Sequence, residues 1–230
     1  MKKIFSIVLV TIAAINPLRA EIETTIGADV VSEYIWRGVK LGDAAIQPTL
    51  GVGVAGFDLS LWGSVGCANF LDTREFDIIM SYSVAGVTIG ITDYWFSEGD
   101  EPYGRYFKYS KSATNHVFEA FLGYDFGFSS INWYTNFAGA DYKANGDLAY
   151  SSYCEISVPF SAAGVDWSAS LGMVPFESVF YGTEGFAVTN ISLSAARSID
   201  ITERYSLPIS AGLTINPCTE MTYLVFGISF

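Results

Sequence analysis

From residue 22 onward, apolar and polar side chains alternate with a period of two. Phe57, Leu59, Leu61, Gly63 and Val65 interleave with Asp58, Ser60, Trp62, Ser64 and Gly66. Val165, Trp167, Ala169, Leu171 and Met173 interleave with Asp166, Ser168, Ser170 and Gly172, and the run 206–215 repeats the pattern. The alternation predicts strands near 22–35, 46–55, 57–66, 74–84, 87–97, 115–125, 128–139, 149–159, 165–174, 186–197, 205–215 and 221–230. Each is about ten residues, the length of a tilted membrane-crossing strand. Short connections near Gly56, Gly86, Gly127, 161–164 and 198–203 alternate with longer ones near 36–45, 67–73, 98–114, 140–148 and 175–185.

The two faces of these strands differ in a way that selects one architecture. One carries Leu, Ile, Val, Phe and Trp; the other carries Ser, Thr, Gly, Asn and acids. A soluble barrel would turn its apolar face inward. A closed sheet in hydrocarbon satisfies every main-chain N–H and C=O between strands and turns its apolar face outward. The pattern therefore predicts an all-β chain, a closed antiparallel transmembrane β-barrel of about 12 strands. The long loops are expected outside the cell and the chain ends in the periplasm. Pro48 lacks a ladder donor and is expected at a rim or bulge.

Composition sharpens this picture. Half of the 230 residues are hydrophobic and 16% are charged. After residue 20 no stretch approaches the ~18 continuous apolar residues of a membrane helix. Lys2 and Lys3 followed by apolar Ile4–Ile15 form a signal peptide over 1–20, leaving 21–230 as the barrel domain. From residue 21 on, nine basic residues face 24 acids, a formal charge of −15, which excludes nucleic acid as a partner. The expected location is the bacterial outer membrane. The expected partners are its lipids, the barrel-assembly machinery, and small solutes or ions.

Side-chain parity assigns roles. Tyr34 and Trp36 share parity with Ile26, Ala28 and Val30, so they are expected to face lipid in an aromatic girdle. Trp95 and Trp133 join that rim, as do Tyr94, Tyr134, Tyr150 and Tyr153. Arg37 marks the headgroup level or a bend into the pore mouth, and Gly38 permits the turn. Asp29, Glu33, Asp58, Asp77, Glu119, Glu155 and Asp166 are expected to face the lumen, because carboxylates are costly in lipid. They could line a cation path, or they could pair with Arg37, Arg74, Lys143, Arg197 or Arg204 in a filled barrel.

Catalytic and metal chemistry find little support. A Ser–His–Asp or Ser–His–Asn hydrolase would have to use the sole histidine, His116, and no Gly-x-Ser-x-Gly elbow occurs. "DTREFD" and "SEGDE" offer acids without EF-hand spacing, so no metal or cofactor is expected. Cys67, Cys154 and Cys218 lack ligand spacing; Cys67–Cys218 is a candidate bridge, with free thiols the alternative.

The final strand, "MTYLVFGISF", closes on Phe230, with Leu224, Phe226 and Ile228 on the same face. It is similar to the recognition signal of barrel-assembly substrates, although Ile228 stands where Tyr is common. "DVVSEYIWRG", "AIQPTLGVGVAGFDLSLWGS" and "EFDIIMSYSVAGVTIGITDYWF" together resemble the TorF-like porin family of small outer-membrane barrels. The matching places are Tyr34 to Gly38, Gln47-Pro48 and Trp62-Gly63. The resemblance implies a barrel and an outer-membrane location more than any solute; the lumen acids add the expectation of a small-solute or cation-preferring porin. The competing expectation is a non-conducting structural or surface-binding barrel.

Overall fold

The computed structural model describes residues 21–67, 74–97, 105–111 and 113–230. The expected signal segment 1–20 and the acids of "SEGDE" beyond Ser97 lie outside them, as do the first two residues of "DTREFD".

The wall is built from β1 (Ile22–Val31), β4 (Ala45–Val54), β5 (Phe57–Gly66), β6 (Arg74–Val84), β7 (Val87–Ser97) and β8 (His116–Asp125). It continues through β9 (Ser130–Gly139), β10 (Ser152–Ala162), β11 (Val165–Val174), β12 (Ala187–Thr202), β13 (Tyr205–Asn216) and β14 (Met221–Ser229). Each strand pairs antiparallel with its neighbours, and β1 meets β14, so the twelve-stranded sheet is a closed barrel. The seam is brief. It comprises Asp29–Ser229, Val30–Ile228 and Val31–Gly227, extended by main-chain bonds between Ala28 and Phe230 and from Ser32 N–H to Phe226 C=O. The aromatic C-terminus thus helps close the ring.

Two-residue turns explain one end of the barrel. Ala55-Gly56, Ala85-Gly86 and Ala163-Gly164 all have positive φ at both positions. That is the type I′ geometry whose twist matches the flanking strands. The chain ends share this short-turn end, and the longer connections share the other.

Ile26, Leu50, Met80, Ile91, Leu122, Leu193, Leu213 and Leu224 are all exposed on the outer face. Their strand neighbours, such as Ser60, Ser170, Ser194 and Ser210, point inward. The apolar-out, polar-in arrangement expected from the alternation is what the barrel presents. Pro48 sits in β4 opposite Ala28 without a bulge. The β4–β5 ladder runs through Ile46–Val65, skips Gln47 and Pro48, and resumes in the same register at Thr49–Trp62. The missing proline donor interrupts pairing without shifting it. The three cysteines are free thiols, so the Cys67–Cys218 bridge is not formed.

The first strand differs from expectation. It ends at Val31, not near residue 35. A separate hairpin follows, β2 (Tyr34–Trp36) and β3 (Val39–Gly42), paired only with itself. The period-two pattern continues through the bend at Ser32-Glu33, so alternation alone could not reveal that the strand leaves the wall there.

The face assignment has a direct test. Leu61→Arg and Leu171→Arg should each cost roughly 2–4 kcal/mol on refolding into lipid, while Ser60→Arg and Ser170→Arg should cost much less. Urea titration of the four variants in the same vesicles measures this, and equal losses would reverse inside and outside.

Candidate functional site

The β2–β3 hairpin lies inside the barrel. Its side chains meet inward-facing residues on many wall strands, which no position outside the ring allows. Tyr34 packs on Trp62 of β5 and donates its hydroxyl to Glu75 of β6 at 2.8 Å. Trp36 meets Tyr94 of β7 edge-on. At the tip, the Asn216 amide of β13 donates to Gly38 C=O at 3.0 Å.

The tip repeats the chemistry of the short turns. Arg37 and Gly38 have φ of 49° and 83°, close to the values of the Ala-Gly turns. Gly38 is needed for a second reason: a Cβ there would stand 1.8 Å from the carbonyl oxygen of Thr189. Thr189 is the extra residue of a bulge in β12, since Gly172 pairs with Asn190 while Met173 pairs with Val188. The bulge and the glycine together let the tip touch the wall.

The tip delivers Arg37 to the centre of the site. Its guanidinium makes two parallel bonds to Glu119 of β8, at 2.6 and 2.9 Å. The Arg37 side chain is 9% exposed and that of Glu119 is 1% exposed. Tyr94 donates a further bond to Glu119 at 2.9 Å. The guanidinium carbon stands 3.9 Å from the ring centre of Tyr134, 4.3 Å from Trp36 and 4.7 Å from Tyr153. Arg37 also donates to the hydroxyl of Tyr181, which comes from the 175–186 connection and stacks on Trp36.

These placements correct several expectations. Tyr34 and Trp36 do not face lipid; they are turned into the lumen because the chain bends at Ser32-Glu33. Of the two places expected for Arg37, the structure has the bend into the pore mouth and not the headgroup level. Tyr94, Tyr134 and Tyr153 point inward and belong to the site, not to a girdle. Trp133 points outward and is 41% exposed, whereas Trp95 points outward beneath Tyr106. Glu33 is not a wall residue; at the hairpin base it takes Lys40 at 2.7 Å.

The remaining acids divide by depth. Glu119 and Asp77 are buried at the long-loop end, 1% and 4% exposed. Asp29 is half-buried beside the seam. Glu155 accepts from Tyr153 and Asn190 at 2.7 and 3.2 Å. Asp58 accepts from Ser60, and Asp166 accepts from Ser161, both toward the short-turn end.

Exposure along the inner face falls steeply from one end to the other. Gln47, Ser64, Thr92, Asn136, Asn190 and Asn216 are buried against the hairpin and its surroundings. Ser194, Ser198, Ser206 and Ser210, on the same inner face, are exposed. A polar recess of about 250 Å³, lined by Thr88, Gly123, Asp125, Ser130 and Asn132 among others, opens in this lower part. The lumen is filled at the long-loop end and open to solvent at the short-turn end.

His116 lies on the opposite side of the wall, facing out. Its two ring nitrogens meet a carboxylate, Asp93, and a main-chain carbonyl, that of Tyr106. Neither partner is a hydroxyl, so the described contacts do not place a nucleophile on it. Among the described residues no group of three or more His, Cys, Asp or Glu could hold a metal.

Sequence reasoning missed the aromatic ring around Arg37 and the role of Tyr181. The usable signal was parity. Tyr94, Tyr134 and Tyr153 alternate with outward residues, and Arg-Gly at the hairpin tip stands where the short turns have Ala-Gly.

No protein-family model matches the sequence, and no curated protein matches it. The resemblance to TorF-like porins therefore rests on the quoted motifs alone. Among solved structures, a NanC porin is similar over 89% of this chain and 98% of its own, at 9% identity and a TM-score of 0.44.

The buried ion pair predicts a stability signature. Glu119→Ala leaves a guanidinium out of water without its carboxylate and should cost about 3–5 kcal/mol. Combining it with Arg37→Met should recover much of that loss. Urea unfolding of the refolded barrel measures both, and simple addition of the two single effects would contradict a direct pair.

Proposed function

We propose that the chain is an outer-membrane channel for small solutes, held shut by the Arg37 hairpin and favouring cations when the hairpin withdraws. The observation that carries this is the hairpin's mode of attachment. It forms a sheet of its own and meets the wall through side chains and its tip, not through a ladder. Such an element can leave without breaking the barrel.

Two further features support it. Of the seven buried side-chain polar atoms without a partner among the described residues, five lie where the lumen is filled: Asp77 Oδ1, both amide atoms of Asn136, Thr189 Oγ1 and Asn190 Oδ1; the others are Trp95 Nε1 on the outer face and Thr183 Oγ1 in the 175–186 connection. Unsatisfied buried groups are costly, and water entering behind a displaced hairpin would satisfy them. The wet half carries Asp58 and Asp166, each hydrogen-bonded to a serine. A low-dielectric wall focuses the field of such carboxylates onto ions in the lumen.

The signal-like first 20 residues and the apolar outer face support an outer-membrane setting. In that setting the long loops point outward, and the lipids and the barrel-assembly machinery are the chain's partners, with Phe230 in the assembly signal. The filled half of the lumen favours a second reading, a non-conducting structural or surface-binding barrel. One experiment separates them.

In planar bilayers the wild type should be mostly closed, and Arg37→Ala should raise the open fraction at least about tenfold, the factor that one lost charge-assisted contact of ~1.4 kcal/mol corresponds to. In a potassium chloride gradient its reversal potential should lie on the cation side, weakening as salt rises. Adding Asp58→Asn and Asp166→Asn should move that potential toward zero. A folded Arg37→Ala barrel that is as silent as the wild type would leave the non-conducting reading.

A further inference from the structure

Segment 105–111 lies against the outside of the barrel, at the long-loop end. Tyr106 packs on Phe76, Trp95 and His116, with ring centres 5.7, 5.6 and 4.9 Å away. All three are on outward parity, in β6, β7 and β8. Tyr109 stacks on His116 at 4.3 Å and contacts Phe118. His116 fixes the arrangement. It is fully buried, with Asp93 at 2.7 Å on Nδ1 and the Tyr106 carbonyl on Nε2. The segment is therefore strapped to the surface that the rest of the barrel offers to lipid.

What the segment displays is unlike the rest of the chain. Phe107 is 88% exposed and Tyr109 is 51% exposed. Beside them stand Arg105, Lys108 and Lys111, three of the nine basic residues that follow residue 20. No acid occurs from 102 to 118. Asp93, the nearby outward carboxylate, is taken up by His116. Lys111 turns toward the neighbouring loop, donating to Gly146 C=O at 3.0 Å and standing 5.0 Å from the Tyr142 ring centre. Arg105 and Lys108 form no ion pair among the described residues.

We propose that this segment binds the phosphate of an anionic membrane lipid, with Arg105 and Lys108 on the headgroup and Phe107 in the upper acyl region. Each part of the chemistry points the same way. A phenylalanine that meets only the edge of Tyr106 among the described rings and is otherwise exposed on a lipid-facing wall is stabilised by burial in the membrane boundary. Like charges side by side repel unless an anion joins them, and a phosphate accepts bonds from both. The overall acidity of the chain makes a basic patch at this outer place more selective for such a lipid. The proposal goes beyond the channel reading and holds whether or not the lumen conducts.

Native mass spectrometry of the folded full-length barrel, released from detergent containing either phosphatidylglycerol or phosphatidylcholine, tests it. The wild type should retain phosphatidylglycerol about tenfold better than phosphatidylcholine. Arg105→Gln with Lys108→Gln should abolish that preference, and Phe107→Ala should weaken retention of both lipids. Arg204→Gln, a basic residue at the short-turn end, should leave it intact. Heat-modifiable gel mobility confirms folding, and Arg105→Ala with Lys108→Ala provides a second version of the pair. Equal retention of both lipids by the wild type, or an unchanged preference in folded double variants, would overturn the proposal. Displacement of phosphatidylglycerol by an equal concentration of inorganic phosphate would also overturn it, since the lipid would then not be the source.

Discussion

A guanidinium leaves bulk water only where its charge is met, and the long-loop half of this barrel is arranged around that requirement. Glu119 supplies the carboxylate, and Tyr134, Trp36 and Tyr153 supply ring faces. Tyr94 and Tyr181 complete the hydrogen bonds. These groups come from the hairpin, from four wall strands and from the 175–186 connection. Withdrawing Arg37 would leave all of them facing a space built for a cation. The pair costs desolvation on both sides, so it is weak as a source of stability and strong as a device for specifying one position of the hairpin.

The wall provides what that device needs. Ring closure satisfies the main chain in hydrocarbon and frees the inner face from any duty to be apolar. The inner face can then change character along the axis, from buried amides and acids around the hairpin to exposed serines at the short-turn end. The same two-residue turn geometry appears at the periphery, in Ala-Gly connections, and at the hairpin tip, where arginine takes the first place. A non-glycine residue with positive φ carries a conformational cost. At Arg37 the interactions of the side chain offset it.

The fold was largely legible in the chain, because a sheet with one face in lipid writes its alternation into every strand. Ten of the wall strands lie close to where the alternation put them; β12 runs to Thr202, five residues past its expected end, so the expected 198–203 connection shrinks to the turn before Tyr205. The other exception, the end of the first strand, is instructive. Tyr34 and Trp36 keep the parity of Ile26 and Val30, and an aromatic beside a charge describes a membrane boundary as well as a filled lumen. Only the three-dimensional bend at Ser32-Glu33 separates the two. The site was legible in part. Parity placed Glu119, Asp77 and Glu155 inside, but nothing local in the sequence says which cation meets which acid across 82 residues. Tyr181 was hidden for a similar reason, since loops carry no periodicity to read.

The central claim is that the lumen is wet from the short-turn end and closed above it by the Arg37 hairpin. Thiol accessibility in a cysteine-free background tests it most directly. Ser194→Cys and Ser210→Cys should react quickly with a small, charged, membrane-impermeant reagent, while Asn216→Cys and Asn136→Cys should react slowly. Adding Arg37→Ala should bring the slow pair close to the fast one. Equal rates at all four positions in the barrel with Arg37 intact would contradict the account.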